Sequence, residues 1–312
     1  MMRTADLFAG AGGFTAGAAL AGATPVYAAN HLPFAVATHS LNHPGEHVCQ
    51  DLRQADWAAL PEYDVLLASP ACQGHSNASQ PNRRRRHSQD RATAWAVIDC
   101  AEVTAPYAIL IENVPQFADW KLYPRWRACL EDLGYHVETR VLDAANFGVP
   151  QRRRRLFIAA TLDRFGPLSY APPTGVEQPF GPCIDWDADA RWLRVADATD
   201  GIQARIAKGR RNHGAVFLSQ HVTGHPGVSL DQSIRTVTTK AQWNVVRGSV
   251  YRPLTVLEHA RAMGFADDYR WPLGASKTDC IKGLGNAVCP PVAASLVGAL
   301  AHHLQLTLAA AA

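Results

Sequence analysis

Paired cysteines are absent from this chain of 312 residues. Its seven cysteines are an odd number, scattered without a CxxC pair, which excludes a disulfide framework and a zinc ribbon or finger and points to a reducing compartment. No apolar run approaches membrane-spanning length, and the amino terminus enters a strand-like motif with no room for a cleavable signal. A cytoplasmic setting in a bacterial or phage-infected cell is expected, with no membrane partner. Charge is sparse as well. Charged residues make up 18% and hydrophobic ones 47%, with a formal net charge of +3. These are globular values, and the net charge is too small to identify a polyanionic partner. There is no internal repeat and no GxGxxG. The histidines match no dedicated ligand spacing, so no metal is expected.

What charge there is comes in clusters. Arg83 to Arg86 and Arg152 to Arg155 are two four-arginine runs, each beside a motif with chemical potential, which favours phosphate contact over a merely solvated face. The first follows Ser69-Pro70-Ala71-Cys72-Gln73, which ends the apolar run Val65 to Ala68. A buried strand ending there leaves Cys72 at the carboxyl edge of an open α/β sheet, where ligands bind. Pro70 restrains the approach, polar Gln73, His75 and Ser76 follow, and nearby cations favour the thiolate. Cys72 therefore reads as a nucleophile beside something anionic.

Upstream, Asp6-Leu7-Phe8-Ala9-Gly10 runs on through Gly12, Gly13 and Phe14, a strand entering a glycine turn before the helix-like Thr15 to Leu20. Such turns permit close backbone approach to a ligand. A second strand ends at Asn30-His31, placing Asn30 against a ribose or as a helix cap, and a third ends near Asp51 and Leu52, with Asp51 able to accept from an adenine amino group. Downstream, Ala92 to Val103 reads as a helix and Tyr107 to Ile111 as a buried strand that delivers Glu112-Asn113-Val114 to the same edge. Glu112 is a helix-initiating charge or a proton donor whose pKa burial would raise. After a helix and the strand Tyr135 to Leu142, Gln151 to Ala160 reads as one strand with Gln151, Arg153 and Arg155 on one face. From Gly166 the pattern turns irregular. Ile234 to Lys240 is strand-like, Leu254 to Met263 a helix, and Val292 to Leu308 an apolar helix expected to return to the amino-terminal sheet and carry Asn286 beside the glycine turn. Strand and helix alternate through residue 160, the pattern of a mostly parallel sheet with helices on both faces.

Taken in order, Asp6 to Phe14, Ser69-Pro70-x-Cys72-Gln73, Glu112-Asn113-Val114, Gln151-x-Arg153-x-Arg155 and Gly285-Asn286-Ala287-Val288 resemble the motif set of the cytosine-5 DNA methyltransferases. The resemblance implies a Rossmann-like, S-adenosylmethionine-dependent α/β fold, with residues 1–175 and 278–312 as the catalytic and cofactor domain and 176–277 as a small target-recognition domain. It implies that Cys72 adds to C6 of a flipped cytosine, that Glu112 holds N3, and that Arg155, supported by Arg153, contacts O2. The cofactor would be S-adenosylmethionine, lying near Asp6, Leu7, Phe8, Ala9, Gly10 and Gly12, with Asn30, His31, Asp51, Leu52, Pro70, Asn286 and Val288 completing the cleft. Gln73, Ser76, Arg83, Arg84, Arg85, Arg86 and Asn113 would meet double-stranded DNA, the loop after Cys72 closing over it. A monomer, with a cognate restriction enzyme as a possible partner, is the expected assembly.

Three positions depart from the family pattern. Ala71 stands in place of a second proline, Asn30 in place of an acidic residue that binds both ribose hydroxyls, and His31 in place of the aromatic that stacks on adenine. The loss of a negative charge at Asn30 raises the alternative of a carboxylated S-adenosylmethionine as donor. Two further alternatives are the same chemistry on tRNA and a catalytically silent DNA-binding relative. Retention of Cys72, Glu112 and Arg155 favours an enzyme.

Overall fold

The apolar runs of the amino-terminal half form short strands separated by helices. The computed structural model describes residues 1–71 and 93–311. The chain packs as two compact units, the first comprising 1–143, 154–173 and 287–312, the second 144–153 and 174–286.

In the first unit, β1 (Arg3–Leu7), β2 (Thr24–Asn30), β3 (Glu46–Cys49), β4 (Val65–Ala68), β5 (Ala108–Asn113), β6 (Tyr135–Asp143) and β8 (Arg154–Leu162) form one sheet in the order β3-β2-β1-β4-β5-β8-β6. The ladders from β3 across to β5 are parallel, while β8 runs antiparallel to both β5 and β6. Every residue of β4 and β5 is buried, as expected where helices cover both faces of a parallel sheet.

One face sends Ala5, Leu7, Leu66, Ala68, Ile109 and Ile111 into a core with α3 (Trp95–Thr104) and α4 (Tyr123–Asp132). The indole of Trp126, fully buried there, donates to the carbonyl of Ala94 at 2.9 Å. Alternation along β1 turns Asp6 to the other face, where it meets α1 (Gly13–Leu20). Next to α1 lies α2 (Pro33–Asn42). The terminal helix α8 (Pro290–Ala311) returns to the first unit as expected, but packs on α1. A Cβ at Gly17 would run into the Ala293 side chain and the Pro290 carbonyl, so glycine permits the two helices to close. The expectation that no apolar stretch reaches spanning length needs correction. An 18-residue window within 277–309 has a mean hydropathy of 1.5, long and apolar enough by composition, and 61% of it is buried in the fold.

In the second unit, β9 (Leu193–Arg194), β10 (Val216–Gln220), β12 (Trp243–Arg247) and β13 (Val250–Pro253) form an antiparallel sheet in the order β10-β12-β13-β9. It packs on α5 (Asp200–His213) through Ile206, Phe217, Val246 and Tyr251. Gly209 of α5 lies against the Phe217 ring, where a side chain would collide. The next helix, α6 (Val256–Met263), opens on a capping box of Thr255 and Glu258, and α7 (Lys277–Asn286) follows.

The run from Gln151 to Ala160 is divided. Gln151–Arg152 forms β7, which pairs in parallel with β11 (Ile234–Arg235) in the second unit, and Arg154 opens β8 in the first. Side-chain bonding accounts for the break. Gln151 donates from Nε2 to Ala262 O and accepts from Val237 N–H, while Arg153 donates to the carbonyls of Val237 and Gly285 at 3.0 and 2.9 Å. The same bonds end β11 after two residues, and residues 144–153 and 278–286, grouped with the catalytic domain on sequence grounds, cluster with the second unit.

Candidate active site

The strands β1, β2, β4 and β5 all end at one edge of the first-unit sheet, and their exits are stitched together. Ala9 N–H donates to Ala29 O, Gln50 N–H to Asn30 O and Ser69 N–H to Leu7 O, at 3.1 to 3.2 Å. Because β8 runs against β5, its beginning lies at the same edge. The register pairs Glu112 with Phe157 and Asn113 with Leu156, so Arg155 sits diagonally from Glu112 on the same face. Arg155 Nε lies 3.1 Å from Glu112 Oε1, with the two side chains 18% and 8% exposed. A guanidinium and a carboxylate held this way are hydrogen-bonding groups with complementary charge, little hydrated and fixed in direction.

The loop leaving β4 is anchored beside that pair. Asn113 Nδ2 donates to the Pro70 carbonyl at 3.0 Å, and Ala71 N–H donates to Thr93 Oγ1 at 3.2 Å. Asn113 is 2% exposed, and its Oδ1 accepts from Val114 N–H. Its side chain therefore holds the loop from within, although the sequence pointed it at DNA. Cys72 is the next residue after Ala71; Cys72, Gln73, Ser76 and Arg83 to Arg86 lie outside the described residues. Arg153, expected to assist Arg155, spends its guanidinium on Val237 and Gly285.

At the other end of the edge, the glycine turn runs with positive φ at Phe8 (60°), Gly10 (56°) and Gly12 (77°). For a phenylalanine that conformation is strained and marks a shaped site. Ala9 and Gly10 border a shallow, tight recess that is also lined by Asn30, Val36, His39 and His47. The small residues Ala28, Ala29 and Ala35 complete its wall. Asn30 Oδ1 accepts from Leu32 N–H at 3.0 Å, which fixes the amide so that Nδ2, a donor, is its remaining group. The following helix has Leu32 as its N-cap, with no side-chain cap, so Asn30 is not the helix cap; its bond to Leu32 N–H holds the turn between β2 and α2.

The other residues expected at the cofactor are placed variously. Leu7 and Leu52 are buried in the core, and Val288 is buried in the first unit. His31 is exposed. Asp51 binds the Arg53 side chain and caps the following turn, and these bonds hold its carboxyl down at about 2. Asn286 ends α7 in the second unit.

Sequence reasoning passed over a buried polar group under the glycine turn. Thr15 Oγ1 lies 2.7 Å from Asp6 Oδ2 and 3.0 Å from His39 Nε2, and His39 Nδ1 lies 2.8 Å from His47 Nε2. Burial pushes Asp6 up to about 7 against the hydrogen bonds of Thr15. Burial, then the charges of His43 and His47, pulls His39 well below the ordinary histidine range, and burial followed by His47 brings His43 down to about 4. The i, i+4 spacing of His39, near the end of a short helix, and His43, its C-cap, with His47 four further on, was the available signal.

The comparisons with known proteins agree with this geometry. The family described as C-5 cytosine-specific DNA methylase matches residues 2–179 and 190–302. The chain is 30% identical to the Type II methyltransferase M.NlaX of Neisseria lactamica over 327 residues, covering 99% of this chain and 98% of that protein. It is 28% identical to M.NgoBI of Neisseria gonorrhoeae, covering 94% and 90%. In fold it is similar to a DNA modification methyltransferase encoded within a prophage (E. coli), with a TM-score of 0.72, 20% identity and 98% and 100% coverage. It is likewise similar to the S. pombe Dnmt2 methyltransferase, with a TM-score of 0.66, 20% identity and 97% and 99% coverage. With a strand-end carboxylate paired to a strand-start arginine on a methyltransferase sheet, and a family match along most of its length, this chain belongs to the C-5 cytosine-specific DNA methylases, enzymes that methylate carbon 5 of cytosine in DNA.

Proposed function

We propose that Cys72 is the nucleophile of this DNA cytosine methyltransferase, that Glu112 and Arg155 grip the flipped base, and that S-adenosylmethionine is the methyl donor. The observation that carries the assignment is the Glu112–Arg155 pair beside the anchored Pro70–Ala71 segment, one residue before Cys72. C5 of cytosine is a poor nucleophile. Addition of a thiolate to C6 makes C5 electron-rich, and a group that protonates or hydrogen-bonds N3 stabilises the adduct. Glu112 supplies that contact from the carboxyl end of β5, and Arg155 orients Glu112 while offering its own N–H groups to the carbonyl oxygen at C2. Loss of the C5 proton then expels the thiol. Reaching C6 requires the base to leave the duplex.

The pocket by the glycine turn fits the cofactor in kind. Small residues make its wall, Gly10 brings backbone close to it, and Asn30 offers an amide donor where ribose oxygens would lie. Bound there, S-adenosylmethionine supplies an electrophilic methyl group. The second unit, with the basic residues Lys208, Arg210 and Arg211 towards the end of α5, is proposed to recognise the target sequence. Likeness to Type II methyltransferases places the activity in a restriction-modification setting.

Trapping tests the assignment. Duplex DNA carrying 5-fluorocytosine at the target, incubated with S-adenosylmethionine, is expected to form a covalent complex with the wild type and none with Cys72→Ala. A complex formed by Cys72→Ala, or none with the wild type on any mapped target, overturns it.

A further inference from the structure

Beneath the glycine turn, a run of hydrogen bonds takes no part in methyl transfer as described above. It links Asp6 to Thr15, Thr15 to His39, His39 to His47 and, at 3.0 Å from His47 Nδ1, ends on the carbonyl of Gly45. Asp6, Thr15 and His39 are buried, whereas His47 is half-buried and lines the pocket. Asp6 is the last residue but one of β1 and Thr15 lies in the first turn of α1, so their bond draws together the two ends of the turn that borders the pocket.

Counting protons along this run gives a definite result. The Gly45 carbonyl only accepts, so His47 Nδ1 carries a proton. A neutral His47 then accepts at Nε2, which requires a proton on His39 Nδ1. A neutral His39 in turn accepts at Nε2 from the Thr15 hydroxyl, and Thr15, its one proton used, accepts from Asp6. All four contacts are made with neutral rings only when Asp6 is a carboxylic acid. When Asp6 is ionised, Thr15 donates to it and each ring reverses: His39 donates from Nε2, His47 donates from Nε2, and His47 Nδ1 turns a lone pair on the Gly45 carbonyl. The contact at the pocket wall is then repulsive unless a buried ring takes up a proton.

The surroundings favour the acid. Asp6 Oδ1 is buried without a hydrogen-bond partner, a costly setting for a carboxylate, and burial both raises Asp6 and lowers the rings. Among the described residues, the titratable group facing the run is His43, the C-cap just past α2, with its ring 4.7 Å from His39 and a hydrogen bond to the backbone of Gly12. Neither α1 nor β4 has a titratable side chain, and Tyr27 of β2 points to the opposite face of the sheet.

We propose that Asp6, Thr15, His39 and His47 form a one-proton relay whose direction decides whether the pocket wall at His47 is latched to Gly45, coupling cofactor binding to pH. The coupling rests on the proposal that this pocket takes S-adenosylmethionine; the relay does not. Histidine ¹⁵N NMR of the full chain tests the relay directly. Between about pH 6 and pH 8, His39 and His47 are expected to exchange Nδ1–H for Nε2–H together, with one shared midpoint near 7. In Asp6→Asn the introduced amide keeps donating toward Thr15, so both rings are expected to hold the Nδ1–H tautomer throughout. In Thr15→Val, which interrupts the run, the shared midpoint is expected to disappear. Rings that titrate separately in the wild type, or a shared switch that survives both substitutions, overturn the relay. Calorimetry of S-adenosylmethionine binding over the same range is expected to show affinity falling roughly tenfold in the wild type, the worth of one hydrogen bond. A flat wild-type profile overturns the latch. Absence of binding at every pH, with the tautomer switch intact, refutes the cofactor assignment and the coupling while leaving the relay supported.

Discussion

Asn113, the last residue of β5, donates to the carbonyl of Pro70 across 43 residues of chain, at 3.0 Å. This bond fixes the loop that leads to Cys72 onto the strand that carries Glu112. Asn113→Ala leaves a buried carbonyl unpaired, at a cost of about 1–3 kcal/mol in holding the loop. The single-turnover rate of methylation is expected to fall roughly 5- to 100-fold, with little change in DNA affinity measured by fluorescence anisotropy. An equal loss in affinity, with the rate intact, would assign Asn113 to the DNA surface.

Arg155 and Glu112 depend on one another for orientation. Arg155→Lys keeps the charge but replaces a planar fork with a point charge on a flexible stem, and Glu112→Gln removes the acid while keeping the shape. Each is expected to lower kcat by about 10²–10³. Because the two act on one ring edge, the double variant should lose much less than the product of the single losses. Burst kinetics on defined duplexes would measure all three, and independent, multiplicative losses would count against a shared grip.

Much of this arrangement was legible in the residues. Val65 to Ala68 and Tyr107 to Ile111 are apolar, rich in branched residues and followed by polar or turn signals, so both strands and the edge they reach follow from pattern alone. The break at Arg153 did not, because alternation continues through it; only the carbonyls of Val237 and Gly285, far along the chain, turn that guanidinium inward. Asn113 was expected to meet DNA for a like reason, its partner Pro70 being invisible to local sequence. The buried run from Asp6 to His47 joins residues from β1, α1, α2 and β3, and its parts become chemically meaningful only once β1 and β2 pair in register.

Arg252 and Glu258 form a bidentate pair at 2.7 and 2.8 Å, both almost fully buried. Burial alone would raise the Glu258 carboxyl. The Arg252 side chain, with the backbone N–H groups of Thr255 and Asp185, holds it below the ordinary value. Its stabilising contribution is therefore present above the unfolded value of 4.5 and is lost as pH falls below it through the folded one. Glu258→Gln leaves a buried arginine uncompensated, and urea unfolding at neutral pH should show a loss of about 3–5 kcal/mol.

Asp6 and the histidines around it pull stability in opposite directions with pH. Asp6 rises from 3.8 to about 7 on folding, so its contribution is complete below 3.8 and is lost as pH climbs to about 7. His39, His43 and His47 are lowered from 6.5, so the folded state loses ground as pH falls below 6.5, where the unfolded chain binds protons that the buried rings refuse. Together they place the maximum near pH 6.5. Asp6→Asn removes only the first effect. Relative to the wild type, the variant should gain about 1.4 kcal/mol per pH unit between pH 4 and 7 and nothing further above 7. The full gain is on the order of 4 kcal/mol for a shift from 3.8 to about 7. Urea midpoints of the two proteins at half-unit steps of pH give this difference directly. A constant offset would mean that Asp6 is ionised in the fold as it is in the unfolded chain, and that the carboxyl beneath the glycine turn holds no proton.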